Sequence, residues 1–161
     1  MPSSNFERMI RLAEEVFAVK NDPDQLDVNQ QVLERLQRMN PATVSEYDDG
    51  NGPVAWVLLI PTTLELMNKF LKNKISEKQL FELTPIDTTY EALYLCSAIV
   101  LKDYHRKGIA KRLVLNSIEK IRKEHPLKAL FVWPFSEEGD LGADIIAGLT
   151  SLPLHKRIET K

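Results

Sequence analysis

One cysteine in 161 residues leaves no intrachain disulfide to form, so packing alone must hold this chain together. Cys96 lies inside an apolar run and reads as a small buried hydrophobe. With that single thiol, the three histidines show no metal-ligand spacing, and no metal is expected. No apolar stretch approaches the ~18 residues of a membrane span. Basic excess is missing too. The 21 Lys and Arg against 23 Asp and Glu leave a net charge of -2, which argues against general affinity for nucleic acid. Near the N-terminus, Glu7, Arg8, Arg11, Glu14 and Glu15 stand where a signal peptide would have its apolar core, so a cytoplasmic protein is expected. Neither the G-x-G-x-x-G of a dinucleotide fold, the GK[ST] ending of a P-loop nor a G-x-S-x-G nucleophile elbow occurs.

What is present is an ordinary globular composition, 43% hydrophobic and 27% charged. The length suits one domain spanning 1–161, large enough to bury roughly two-thirds of its unfolded surface. Ser4 and Glu7 have capping-box spacing, and Phe6, Met9, Ile10, Ala13, Val16 and Phe17 predict a helix over 5–19. A second helix carries Val28, Val32, Leu33, Leu36 and Met39 on one face and stops at Asn40-Pro41. Residues 42–47, the turn DDGNGP and the apolar run 54–60 predict a hairpin. Two short helices follow, one bearing Leu64, Met67, Phe70 and Leu71, the other opened by Ser76 and Gln79.

Residues 90–101, YEALYLCSAIVL, read as a long strand. Strict alternation puts Tyr94, Cys96, Ala98 and Val100 on one face and Leu93, Leu95, Ser97 and Ile99 on the other. A helix over 107–124 follows, then a buried strand over 128–133, a helix from Ser136 to about Gly148 and a terminal strand from Leu154 to Glu159. Strand, helix, strand implies a right-handed crossover, while the hairpin implies antiparallel neighbours, so the sheet should be mixed. Trp133 and Phe135 should be core or cleft lining.

Between the long strand and its helix lies HRKGIAKR, residues 105–112, inside a basic island of Lys102, Arg106, Lys107, Lys111 and Arg112. In such sheets ligands settle beyond the carboxyl ends of the strands. Gly108 at the head of the helix suggests close approach of backbone to a ligand, and the N–H groups that follow form an anion site in outline. The anion could be a phosphate, a nucleic-acid backbone or only water.

The run from Val100 to Leu113 resembles motif A of the GNAT superfamily of acetyl-CoA-dependent N-acetyltransferases, whose signature is Q/R-x-x-G-x-G/A between a long strand and a helix. About 45 residues, 90–133, carry the resemblance. His105 stands at the first signature position, Lys102 replaces a common proline, and no tyrosine follows Tyr104. The resemblance implies an α/β fold, a central mixed sheet flanked by helices, here with a helical insertion around residues 62–83. It also implies acetyl-CoA or another acyl-CoA as cosubstrate. The pyrophosphate would lie on the stretch His105, Arg106, Lys107, Gly108, Ile109 and Ala110, and the pantetheine would pair with the backbone of Ile99, Val100 and Leu101. A backbone N–H near Val100 would polarise the thioester. Glu91 and Tyr94, on or near the face that looks into the cleft, are the candidate side chains for proton transfer, with a water relay the alternative. The acceptor would be a small-molecule or peptide amine of a kind the sequence does not name. Oligomeric state is open, a homodimer included. Two rival readings are a coenzyme A-binding module without catalysis and a basic patch for protein or nucleic acid.

Overall fold

Asn40 shows how local chemistry starts this fold. The computed structural model describes residues 7–9, 11–12, 30–105, 107–134 and 137–157. Helix α1, Gln30–Met39, stops before Pro41, and Asn40 takes an extended conformation in which its side chain accepts the Ala42 N–H at 2.8 Å. A short 3-10 turn, Pro41–Thr43, then feeds β1, Val44–Asp48. Of the helix expected over 5–19, residues 7–9 and 11–12 are helical, and the rest of that expectation lies outside the described residues.

Strand β2, Pro53–Thr62, pairs antiparallel with β1 and with β3, Ala92–Val100. The next two strands, β4 at Ala129–Val132 and β5 at Leu154–Lys156, are parallel to β3 and to each other. The sheet is therefore mixed, in the order β1-β2-β3-β4-β5. Between β2 and β3 lie the two inserted helices, α2 at Leu64–Leu71 and α3 at Glu77–Leu83. Thr63 caps the first, and Ser76 with Gln79 forms a reciprocal capping box on the second. Helix α4, Ile109–Glu124, makes the crossover from β3 to β4, and α5, Glu137–Thr150, the one from β4 to β5.

The two faces of the sheet carry separate cores. On one, α1, α2 and α3 press Leu36, Met39, Met67, Phe70, Leu80 and Phe81 onto Leu58, Ile60, Tyr94 and Phe131. Edge-to-face contacts join Phe70 to Tyr94 and Phe131 at 5.1 and 5.8 Å. On the other face, α4 and α5 supply Val114, Ile118, Ile121 and Ile146 against Val57, Leu59, Leu93 and Leu130.

One irregularity in β3 sets the geometry of its C-terminal half. Leu58 pairs with Ser97 but Leu59 pairs with Leu95, so Cys96 is an extra residue on β3, a β-bulge. Strict alternation fails there. Directly paired residues share a face, so Ser97 and Ile99, opposite Leu58 and Trp56, fall on the side of Tyr94. Ala98 and Val100, opposite Val57 and Ala55, fall on the α4 side, the reverse of the expected assignment.

Candidate functional site

Parallel pairing between β3 and β4 lasts for only three residues. It joins Ala92 to Ala129, Leu93 to Leu130 and Tyr94 to Phe131, and then stops. From Ser97 to Val100, β3 keeps its partner β2 but none on the β4 side, and the two strands part into a cleft. The N–H of Leu101 donates to the carbonyl of Val54 at 2.9 Å. Antiparallel ladders alternate bonded and non-bonded pairs, so Trp56 and Ile99 bond to each other while Ala55–Val100 and Val57–Ala98 do not. The main-chain groups of Ala98 and Val100 therefore point away from β2, into the cleft.

This corrects the expected pantetheine contacts. Ile99 and Leu101 turn their main-chain groups towards β2, and Leu101 is buried at 3% exposure. The main-chain groups of Val100, one of the expected contacts, point into the cleft, and those of Ala98, absent from the expected set, join them. Only the bulge could have revealed Ala98, and an extra residue leaves no mark on a hydrophobicity pattern.

Beyond β3 the chain turns through a 3-10 segment, Lys102–Tyr104. Its position is fixed from several sides. The Tyr104 hydroxyl donates to Asp49 in the β1–β2 turn, and Arg8 Nη2 pairs with Asp103 at 2.8 Å. The Tyr104 bond holds the Asp49 carboxyl below the usual carboxylate range, and the same bond raises the phenol. Lys107 Nζ sits 5.3 Å from the Tyr104 ring centroid. His105, exposed, puts Nε2 within 2.8 Å of the Val100 carbonyl, where it acts as donor. That bond covers one of the two cleft-facing polar groups of Val100 and leaves its N–H. Arg106, named among the expected pyrophosphate contacts, lies outside the described residues.

Gly108 is the N-cap of α4, with φ 73° and ψ 16° in the left-handed region. A Cβ built there would meet nothing within 4 Å, so conformation, rather than crowding, selects glycine. No side chain caps this helix end. The ladder starts with Arg112 N–H to Gly108 carbonyl at 3.0 Å, which leaves the N–H groups of Ile109, Ala110 and Lys111 without helical partners. Ile109 itself is buried, whereas Lys107 and Lys111 are exposed. Three free amides, the positive end of a 16-residue helix and flanking lysines make a place for a phosphate group.

The side chains expected to move protons are elsewhere. Glu91 lies at the closed end of β3, roughly 30 Å along the strand from Val100, and pairs with Lys128 Nζ at 2.6 Å. Tyr94 is 1% exposed, and its hydroxyl donates to Glu77 Oε2 at 2.5 Å. Burial, reinforced by the neighbouring Glu77 carboxylate, raises the Tyr94 phenol well above its ordinary 10.0. It cannot serve as a base near neutral pH. Trp133, 5% exposed, belongs to the core, and Phe135 lies outside the described residues.

Two surface hollows lie away from this cleft. One of about 490 Å³ runs between α4 and α5 beside Arg122 and Leu149; the other, about 290 Å³, lies between β1 and α4 beside Ser45 and Ser117. Among the described residues no group of His, Cys, Asp or Glu could hold a metal ion, and no helix is long and apolar enough to cross a membrane.

The family model for the Acetyltransferase (GNAT) family matches residues 6–140, most of the chain. No curated protein matches it.

Proposed function

The chain belongs to the acetyltransferase (GNAT) family, and from that premise we propose that it transfers an acyl group, acetyl in the first instance, from acyl-coenzyme A to an amine. The observation that carries this reading is the parting of β3 from β4 beyond Tyr94 and Phe131. It opens a slot lined by main-chain groups of Ala98 and Val100 and ending at the uncapped head of α4. A pantetheine arm is an extended chain with two amides, and it pairs with a strand edge as another strand would. The N–H groups of Ile109, Ala110 and Lys111 then receive the pyrophosphate.

At the inner end of the arm, the Ala98 N–H polarises the thioester carbonyl and stabilises the oxyanion as the amine attacks. The new C–N bond forms, the C–S bond breaks, and coenzyme A leaves as the thiol or thiolate. The amine must attack as the free base. Since Tyr94 holds its proton and Glu91 is remote, its proton passes to solvent. This makes the rate rise with pH towards the pKa of the acceptor amine. The acceptor is a small-molecule or peptide amine that enters on the α2–α3 side of the sheet.

The same lack of a side-chain base supports one alternative, a coenzyme A-binding module without turnover. Calorimetry with coenzyme A and an acetyl-transfer assay over a panel of amines separate the two. Binding with turnover supports the transferase, and binding without turnover supports the module. A folded protein that binds no coenzyme A contradicts both.

A further inference from the structure

We propose that Arg157 binds a carboxylate carried by one of the two substrates at the inner end of the cleft, which selects for an acidic acceptor or an acidic acyl group. The proposal rests on the acyl-transfer reading above and narrows it to a substrate class.

Arg157 is 6% exposed, although arginine is seldom buried without a counter-charge. Its Nε donates to Asn73 Oδ1 at 2.7 Å, and its guanidinium lies 4.4 Å from the Phe70 ring centroid and 4.5 Å from that of Trp133. Those contacts hold the group in place without neutralising it. Nη1 is buried and has no hydrogen-bond partner, and among the described residues no carboxylate pairs with Arg157. Glu77, the buried acid of this region, accepts from the Tyr94 hydroxyl. A buried cation with a free donor is costly unless something completes it.

The register says where that something would sit. Val132 pairs with Lys156, and the Arg157 N–H continues the ladder to the Val132 carbonyl at 2.9 Å. One step on, Arg157 stands level with Trp133, and Trp133 stands level with Cys96, since Phe131 pairs with Tyr94. Arg157 is thus two strands across from the bulge, at the depth where β3 and β4 have just parted. Its face is that of Trp133, Phe131 and Tyr94, opposite to α4. An acyl-CoA reaching in from the head of α4 would present its thioester towards this face. A planar guanidinium there with a spare N–H suits a carboxylate, which can meet it edge-on.

The carboxylate could belong to either substrate, and the test distinguishes them. One arm compares α-amino acids with their α-carboxamides as acceptors of acetyl from acetyl-CoA; the other compares succinyl-CoA with acetyl-CoA, using amide acceptors. In one arm, the acidic member should be favoured about 10- to 100-fold in kcat/KM, mainly through KM, as a buried charge-assisted pair would give. Arg157→Met should remove that preference, and Arg157→Lys should keep part of it. Should Arg157→Met fail to fold, the partial loss in Arg157→Lys carries the test. Read without turnover, succinate should raise the Tm of the wild-type protein with coenzyme A present, and succinamide should not. Equal use of acidic and neutral members in both arms, or a preference that both variants retain, overturns the assignment and leaves acyl transfer standing. Absence of coenzyme A binding overturns the transferase reading itself.

Discussion

Residues Ala92–Tyr94 and Ala98–Val100 belong to one strand but live in different surroundings. The first three are buried, paired on both edges, and locked by side chains from both faces of the sheet. The last three keep a partner on one edge only, and Ala98 is exposed. Between them lies a single extra residue, Cys96. The closed half has its hydrogen bonds satisfied and derives its stability from packing, so its residues matter to the fold. The open half leaves the main-chain groups of Ala98 and the N–H of Val100 unpaired at the sheet's centre, so its backbone matters to a ligand. A bulge lets one strand hold both roles without a break in the chain.

Substitutions should separate the halves. In the closed half, Phe131→Ala removes a fully buried ring packed against Tyr94 at 5.0 Å and Phe70, and should cost about 3–5 kcal/mol in urea unfolding. In the open half, Ala98→Pro deletes a cleft-facing N–H without removing a bond to β2. It should lower kcat about 10²- to 10³-fold, as loss of an oxyanion donor does, in a protein that still unfolds cooperatively. An unfolded Ala98→Pro protein, or one of normal kcat, would break the division.

Tyr94→Phe tests the boundary. It removes the hydroxyl's bond to buried Glu77 and should cost about 1–3 kcal/mol. The pH dependence has a definite sign. Because the phenol's pKa is raised on folding, its contribution is fully present below 10.0 and fades as pH rises above that value. Tyr94→Phe should lack that alkaline loss, as urea titrations at pH 8 and pH 11 would read. The smallest effect belongs to the junction: Gly108→Ala must hold φ 73° and should lose about 1–2 kcal/mol of stability, a few degrees of Tm, with no steric clash to add to it.

Much of the fold was legible because periodicity and caps are local. The inserted helices, the capping box of Ser76 and Gln79, the long strand and its helix stand where their patterns put them. The GNAT resemblance, read from Val100 to Leu113, extends over most of the chain. The site was less legible. A period-two reading carries no sign of a bulge, so it misses Ala98 and inverts the faces beyond Cys96. Tyr94 stands among the sequence candidates for proton transfer because its partner, Glu77, lies seventeen residues earlier on an inserted helix and gives no local sign. Arg157 carries no signal in the sequence, because what marks it, the Phe70 and Trp133 rings against its guanidinium, comes together only in the fold.

The central claim is that coenzyme A binds along the open half of β3 and at the head of α4. An amide ¹H–¹⁵N titration of the full chain with coenzyme A tests it directly. The largest shifts should fall on Ala98, Val100, Ile109, Ala110 and Lys111, with Ala92, Leu93 and Tyr94 nearly still. Shifts confined to the groove beside Arg122 and Leu149, or saturable binding that leaves Ala98 and Val100 unmoved, would contradict it.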